Sequence, residues 1–281
     1  MGIKIKQSKS GLYTSFIILA FICIIFLAPF FFMLVSSLKP GQELISKGLT
    51  WKMNFDMMSL NNYKILFFQD NRYLIWYKNS LIITALYTIL SLFFSSLVGY
   101  GLAVYNFKGK RLIFFTVLLV MMVPLEILLL PLYRLMITLH LMDSYLGVVL
   151  PFAVSPFAVF FFRQYIIGLP KDLIEAARID GCNEFKIYFK IIAPLMKPAF
   201  GAMFILLALT SWNSFVWPLI VLRTTENLTL PIGLASLITP YGNNYDMLMP
   251  GAVMSVIPVA IIFLLNQRAF IEGLTAGSVK Q

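Results

Sequence analysis

The sequence predicts an all-α polytopic membrane protein with about six transmembrane helices, and three observations carry that expectation. Of its 281 residues, 60% are hydrophobic and only 12% are charged, where ordinary soluble domains carry roughly 25% charged residues. Mean hydropathy is +0.86, so there is too little polar surface to cover a soluble globule. The apolar residues fall in runs of about 20, the length that crosses a hydrocarbon core, and shorter stretches between them collect the charges. The formal net charge of +10 lies in short clusters beside those runs and forms no continuous basic stripe. It reads as a topology signal, not as a nucleic-acid surface.

Lys4, Lys6 and Lys9 precede the first run, 12–35. The run is longer than a leader core and no small-residue cleavage site follows, so a retained span with an inside N-terminus is expected. Residues 36–76 mix Lys, Asn, Asp, Gln and aromatics, as in a non-cytoplasmic loop with amphipathic pieces. Lys39, Lys47, Lys52, Lys64 and Arg72 run against the positive-inside rule there, a rule that weakens over longer loops. The second span, 77–105, carries Ser95, Ser96, Gly99, Gly101 and Ala103, small enough for a neighbouring helix to approach closely, within its own bundle or at a subunit contact. Lys108, Lys110 and Arg111 mark a cytoplasmic turn.

The third span, 112–135, contains Pro124 and Pro131, whose freed carbonyls need another helix or a water-lined path. Glu126 beside them is either an intramembrane functional acid or a side chain reaching water at the end of a broken helix. The fourth span, 145–162, is interrupted by Pro151 and Pro156. The fifth, 199–222, includes Trp212, Asn213 and Trp217, with Asn213 expected to bond a neighbouring helix or line a polar path. Residues 223–246 form an outer loop whose part 228–238 has the character of a re-entrant piece. The sixth span, 250–265, leads to a short inside tail. The whole chain, 1–281, is expected to be one transmembrane domain, with Glu126, Trp212, Asn213 and Trp217 as candidate pathway residues.

Between the fourth and fifth spans, 163–197 gathers Arg163, Lys171, Arg178, Lys186, Lys190 and Lys197 with Asp172, Glu175, Asp180 and Glu184. So many basic residues mark a cytoplasmic loop. Pro170 and Asp172 suit a helix start, and Gly181 supplies the left-handed residue that ends the helix. Ile174, Ala177 and Ile179 form its apolar side. A second helix, 183–192, is expected to stop at Pro194 and Pro198, completing a helix-turn-helix. His140 is the only histidine, and Cys23 and Cys182 lie far apart, so no metal set, triad or disulfide framework follows. No Gly-x-x-x-x-Gly-Lys-Ser/Thr phosphate loop is present. The chain is expected to be no enzyme and to bind no cofactor or metal itself.

Glu175-Ala176-Ala177, then Gly181, Ile191 and Pro194, resembles the EAA loop of ABC importer permeases, with Ala193 where the pattern prefers Leu. The resemblance extends over nearly the whole chain. Asn79-Ser80-Leu81, Pro131-Leu132-Tyr133, Asp143-Ser144 with Gly147, Trp212-Asn213 with Pro218-Leu219, and the C-terminal 267–280 are similar to the MalG-like second permease of carbohydrate importers. This resemblance implies the type I ABC importer permease fold in a bacterial cytoplasmic membrane, with both termini inside. It implies a second permease, two ATP-binding subunits carrying ATP and Mg, an extracytoplasmic solute-binding protein and surrounding membrane lipid as partners, and no nucleic acid. It makes Glu175, Ala176, Ala177, Arg178, Asp180 and Gly181 the coupling element on the ATPase. Gly273, Thr275, Ala276 and Gly277 would be a tail contact to the ATPase pair, and 223–246 would face the binding protein. The implied function is an ATP-driven, binding-protein-dependent import of sugars or oligosaccharides, with ATPase closure coupled to alternating access. The competing readings are an ABC permease for a non-sugar solute and an ion-coupled secondary transporter. The last wants internal repeats and several intramembrane ionisable groups.

Overall fold

The computed structural model describes residues 9–48, 55–239 and 242–275. Its helices in chain order are α1 (Lys9–Ser37), α2 (Gly41–Lys47), α3 (Asn61–Lys64), α4 (Arg72–Val104), α5 (Lys110–Met121), α6 (Leu125–Thr138), α7 (Tyr145–Val149) and α8 (Pro156–Ile167). They continue as α9 (Asp172–Ile179), α10 (Glu184–Ile187), α11 (Ala193–Leu195), α12 (Lys197–Trp212), α13 (Val216–Val221), α14 (Leu230–Ser236) and α15 (Tyr245–Thr275). A small antiparallel hairpin, β1 (Ile238–Thr239) with β2 (Gly242–Asn243), pairs Ile238 with Asn243. The chain divides into two compact units, Met1–Asn71 with Ser236–Val256 and Arg72–Ala235 with Ile257–Gln281.

In the first unit, α1 is apolar on every face and no part of its most apolar stretch is buried in protein. Such a helix belongs in lipid. The stretch that follows, expected as a loop, is partly helical. Gly41 N–H opens α2 by donating to Asp246 Oδ1 at 2.7 Å. Asn62 Nδ2 on α3 donates to the carbonyls of Ser37 (3.0 Å) and Lys39 (2.7 Å). Lys39 is 2% exposed, a packed side chain rather than the loop charge suggested by its place in sequence.

The second unit is organised on α4, which starts at Arg72, ahead of the expected span. Tyr73 and Trp76 are buried, so this aromatic turn continues the helix inward. Ser91, Ser95, Ser96 and Gly99 form its buried face, and the helix packs most extensively on α8 and then on α12. The small-residue face therefore serves packing within the chain.

Three of the expected spans are broken helices. α5 and α6 meet at 105°, because Pro124, in extended backbone at φ −62 and ψ 139, lacks an N–H and pushes Val123 out of the helical region. Pro131 stays inside α6. The pair Tyr145–Phe152 and Pro156–Ile167 bends by 43°, with the Ser155 hydroxyl accepting from Ala158 N–H at the restart. α8 runs on to Ile167, which puts Arg163 on a helix instead of in the charged loop. Further on, Pro194 does not stop its helix. Pro194 and Pro198 both sit in first turns, of α11 and α12, where no N–H is needed. The turn between Glu184–Leu195 and Lys197–Trp212 is 78°. Among the described residues three straight helices are long and apolar enough to span a membrane, or up to six elements if each bent pair counts once.

Candidate functional site

α9 is amphipathic across a sharp boundary. Ile174 and Ala177 are buried at 7% and 4% exposure and join a cluster with Tyr100, Phe162, Ile166, Ile187, Tyr188 and Ile192. Glu175, Ala176, Arg178 and Asp180 face outward. Ile179 does not belong to the apolar side: it is 86% exposed, because one residue past Arg178 the helix has turned it away from the cluster. Among the described residues Glu175 makes no ion pair or side-chain hydrogen bond.

The end of α9 follows from Gly181. Its φ is +76°, a region costing other L-residues roughly 1–2 kcal/mol. The turn lets Gly181 N–H bond the Arg178 carbonyl and Cys182 N–H bond the Ala177 carbonyl, both at 3.0 Å, a left-handed helix stop of the Schellman type. Asn183 then caps α10, its Oδ1 accepting from Lys186 N–H at 2.8 Å. Pro170 lies just before the N-cap Lys171, not in the first turn.

Glu184 is the centre of the site. Its carboxylate accepts from Arg178 Nε at 2.8 Å and Nη2 at 3.3 Å, and from the Tyr105 and Tyr100 hydroxyls at 2.6 and 3.2 Å. Four residues on, the Tyr188 hydroxyl shares a 2.6 Å hydrogen bond with Ser96. Both short helices are thereby clamped to the last turns of α4. The Arg178–Glu184 pair is 42% and 40% exposed, so the ion pair alone contributes little. The tyrosine and Ser96 bonds make it a rigid joint. The sequence placed Glu184 in the loop without its role, marked Ser96 only as a small packing residue, and gave no joint role to Tyr100, Tyr105 or Tyr188.

The opposite end of α4 holds the 222–230 loop. Trp76 Nε1 donates to the Thr225 carbonyl at 3.1 Å. Asn79 Nδ2 donates to the carbonyls of Glu226 (2.7 Å) and Leu228 (2.9 Å), while its Oδ1 accepts from the Tyr145 hydroxyl. Ser80 Oγ accepts from Leu230 N–H at 2.8 Å. From Asn79 to Tyr100 the helix spans about 30 Å at 1.5 Å per residue, a hydrocarbon thickness.

Asp143 ties the same loop down. Its Oδ1 accepts from Arg223 and Thr224 N–H at 2.8 and 3.1 Å, and its Oδ2 accepts from the Thr224 hydroxyl at 2.8 Å. Partial burial works to raise its pKa, but the hydrogen bonds from Arg223, Thr224 and Asn227 outweigh it and hold the carboxyl below its ordinary value. A depressed carboxyl stabilises the fold above its unfolded pKa, and that contribution is lost as pH falls through the folded one. The stability gap between the natural chain and Asp143→Asn, measured as apparent melting temperature, is therefore expected to shrink as pH falls below about 5 and to close once pH is below the folded carboxyl's depressed pKa.

The candidate pathway residues separate. Trp217, 2% exposed, lines a cavity of about 120 Å³ with Ile83, Tyr87, Leu125, Phe152 and Ser214, and its buried indole N–H has no acceptor among the described residues. Glu126 is exposed in the first turn of α6, next to cavity-lining Leu125. Trp212 is buried and meets Tyr77 edge-on at 5.7 Å. Among the described residues Asn213 bonds no neighbouring helix: it ends α12, and its side chain donates at 2.9 Å to the same Leu209 carbonyl that accepts its backbone N–H. Gly273 and Thr275 fall in the last turn of α15, whereas Ala276 and Gly277 lie outside the described residues.

The structure defines a helical membrane protein that carries an exposed helix pair clamped between its apolar elements. The family model described as "binding-protein-dependent transport system inner membrane component" matches residues 91–271, and the chain belongs to that family. It is 59% identical over 257 residues to the arabinooligosaccharides transport system permease protein AraQ of Bacillus subtilis (strain 168), covering 92% of each. It is 32% identical to the lactose transport system permease protein LacG of Rhizobium radiobacter, covering 90% of each. The sn-glycerol-3-phosphate transport system permease protein UgpE of Yersinia pestis bv. Antiqua (strain Antiqua) is 32% identical over 70% of each chain. The fold matches a chain of a bacterial ABC transporter involved in the import of the acidic polysaccharide alginate, with TM-score 0.80 and 24% identity over 94% of this chain and 99% of that one.

Proposed function

We propose that this chain is one of two integral-membrane permeases of an ATP-driven, binding-protein-dependent importer of sugars or oligosaccharides, and that α9 with Gly181 is where a separate ATPase subunit docks. ATP and Mg belong to that partner, and both termini of this chain lie on its side of the membrane. The observation that carries the reading is the two-sidedness of α9. Ile174 and Ala177 fasten it to the helical core while Glu175, Ala176, Arg178, Ile179 and Asp180 face outward. An apolar side chain as exposed as Ile179 on a charged helix suits a partner's pocket. Through Glu184, force applied there reaches α4 and the 222–230 loop, where the solute-binding protein would engage. The tail around Gly273–Gly277 is a second contact with the ATPase pair. Trp217 and Glu126, at or beside the cavity, are the pathway positions that the geometry favours over Trp212 and Asn213.

The likeness to AraQ supports arabino-oligosaccharides as the cargo class, and the likeness to UgpE supports a polyol phosphate as the second reading. Uptake of labelled arabino-oligosaccharides against glycerol 3-phosphate separates them. Glu175→Ala is expected to reduce uptake to background with unchanged membrane levels, since Glu175 has no side-chain partner among the described residues. Gly181→Ala adds strain of about 1–2 kcal/mol without a clash, as open space surrounds it. It should likewise uncouple transport while the chain still inserts. Retained ATP-dependent uptake in both variants, with an ATPase still co-purifying, would overturn the docking assignment.

A further inference from the structure

Between the first turn of α5 and α8 lies a groove of about 900 Å³ bordered by Phe107, Lys110, Arg111, Leu112, Phe115 and Arg163. Lys110 Nζ is held on the carbonyls of Ala103 (3.3 Å) and Tyr105 (2.7 Å). Arg163 donates to the Leu102 carbonyl at 3.3 Å and lies 3.8 Å over the Phe114 ring. Lys110 also feels the like charges of Arg163 and Lys171. Among the described residues no carboxylate pairs with Lys110, Arg111 or Arg163, so three cations border the groove without an anion. No side chain caps α5 either, leaving the positive end of the helix dipole on the same groove.

We propose that this groove holds the phosphate of an anionic membrane phospholipid, with Arg111 and Arg163 on the phosphate and the acyl chains lying along α5. Charge alone would equally suit an acidic protein surface. The apolar wall decides between them: Leu112 is 69% and Phe115 54% exposed, immediately beyond the cations. No residue of α5 is fully buried. A water-facing acidic partner would leave those side chains wet, whereas a lipid covers charge and grease at once, as basic pockets at the ends of membrane helices do. The site adjoins the clamp, since Tyr105, whose carbonyl holds Lys110, also bonds Glu184. A bound lipid would therefore stiffen the joint between α4 and the helix pair.

The test is native mass spectrometry of the intact transporter complex, delipidated in mild detergent and titrated with dioleoyl-phosphatidylglycerol or dioleoyl-phosphatidylcholine. The phosphatidylglycerol should bind about tenfold better, and Arg111→Gln and Arg163→Gln should each weaken it about fivefold. Lys190→Gln, outside the groove, should leave it unchanged. Equal binding of the two lipids, or an undiminished preference in both groove variants, overturns the proposal. So does displacement of the lipid by millimolar inorganic phosphate, which would make this a free-anion site. Loss of a protein subunit from the Arg111→Gln complex with the lipid preference intact would assign the charges to a protein partner and equally overturn it.

Discussion

Replacing Gly147 by alanine is expected to destabilise the helical core by about 3 kcal/mol or more. A Cβ at Gly147 would stand 2.1 Å from the Leu141 carbonyl oxygen and 3.0 Å from a Val221 methyl. The first obstacle is backbone, and that backbone is fixed. The Ser144 hydroxyl accepts from Gly147 N–H at 3.1 Å while donating to the same Leu141 carbonyl at 2.7 Å. Asp143 N–H bonds the Val221 carbonyl at 2.9 Å. Relief requires breaking the cap of α7 or lifting the turn that holds Arg223 and Thr224. At roughly 2–4 °C per kcal/mol for a unit of this size, the apparent melting temperature in detergent should fall by about 6–12 °C. A shift within error would mean that Leu141 and Gly147 do not approach each other this closely.

The second large effect is expected at Glu184. Alanine there removes the common acceptor of Arg178, Tyr100 and Tyr105. Arg178 is exposed and finds water. The Tyr100 phenol sits in a buried side chain and loses a charged acceptor, at about 1.5–3 kcal/mol. The half-open site favours the lower end of that range. The chain should still fold, because Ile174, Ala177, Ile187 and Ile192 keep their burial, but the helix pair should loosen from α4. Hydrogen exchange over 172–192 is expected to accelerate about tenfold or more, the equivalent of about 1.4 kcal/mol. Transport should fall much more than expression. Glu184→Gln, which can still accept from the phenols, should fall between. Unchanged exchange in the alanine variant would show that the apolar cluster alone positions the pair.

Several small motifs that carry the family resemblance acquire physical reasons in the structure. Asn79 and Ser80 satisfy the backbone of a loop some 150 residues away in sequence. Asp143, Ser144 and Gly147 are successive parts of one turn: carboxylate clamp, helix cap and close approach. Trp212-Asn213 is a helix end, where the Asn213 amide turns back onto the Leu209 carbonyl. The charged interval, its left-handed stop at Gly181 and the outward face of Glu175 were legible because capping and amphipathicity are local properties, expressed within a few residues. Ile179 was misplaced because a helix of eight residues is too short for its pattern to define which apolar residue faces the cluster.

What the sequence determined by itself is the membrane class, the count of apolar elements, the helix pair between them and its family resemblance, since each rests on composition or on spacing within one segment. Only the tertiary structure decided that the runs around Pro124, Pro156 and Lys197 bend by 105°, 43° and 78°, that Lys39 is buried, and that Glu184 joins Arg178 to Tyr100 and Tyr105. A bend angle depends on what fills the space beside the break. A carboxylate's partners depend on which helix ends meet, and neither is encoded within any single stretch of chain.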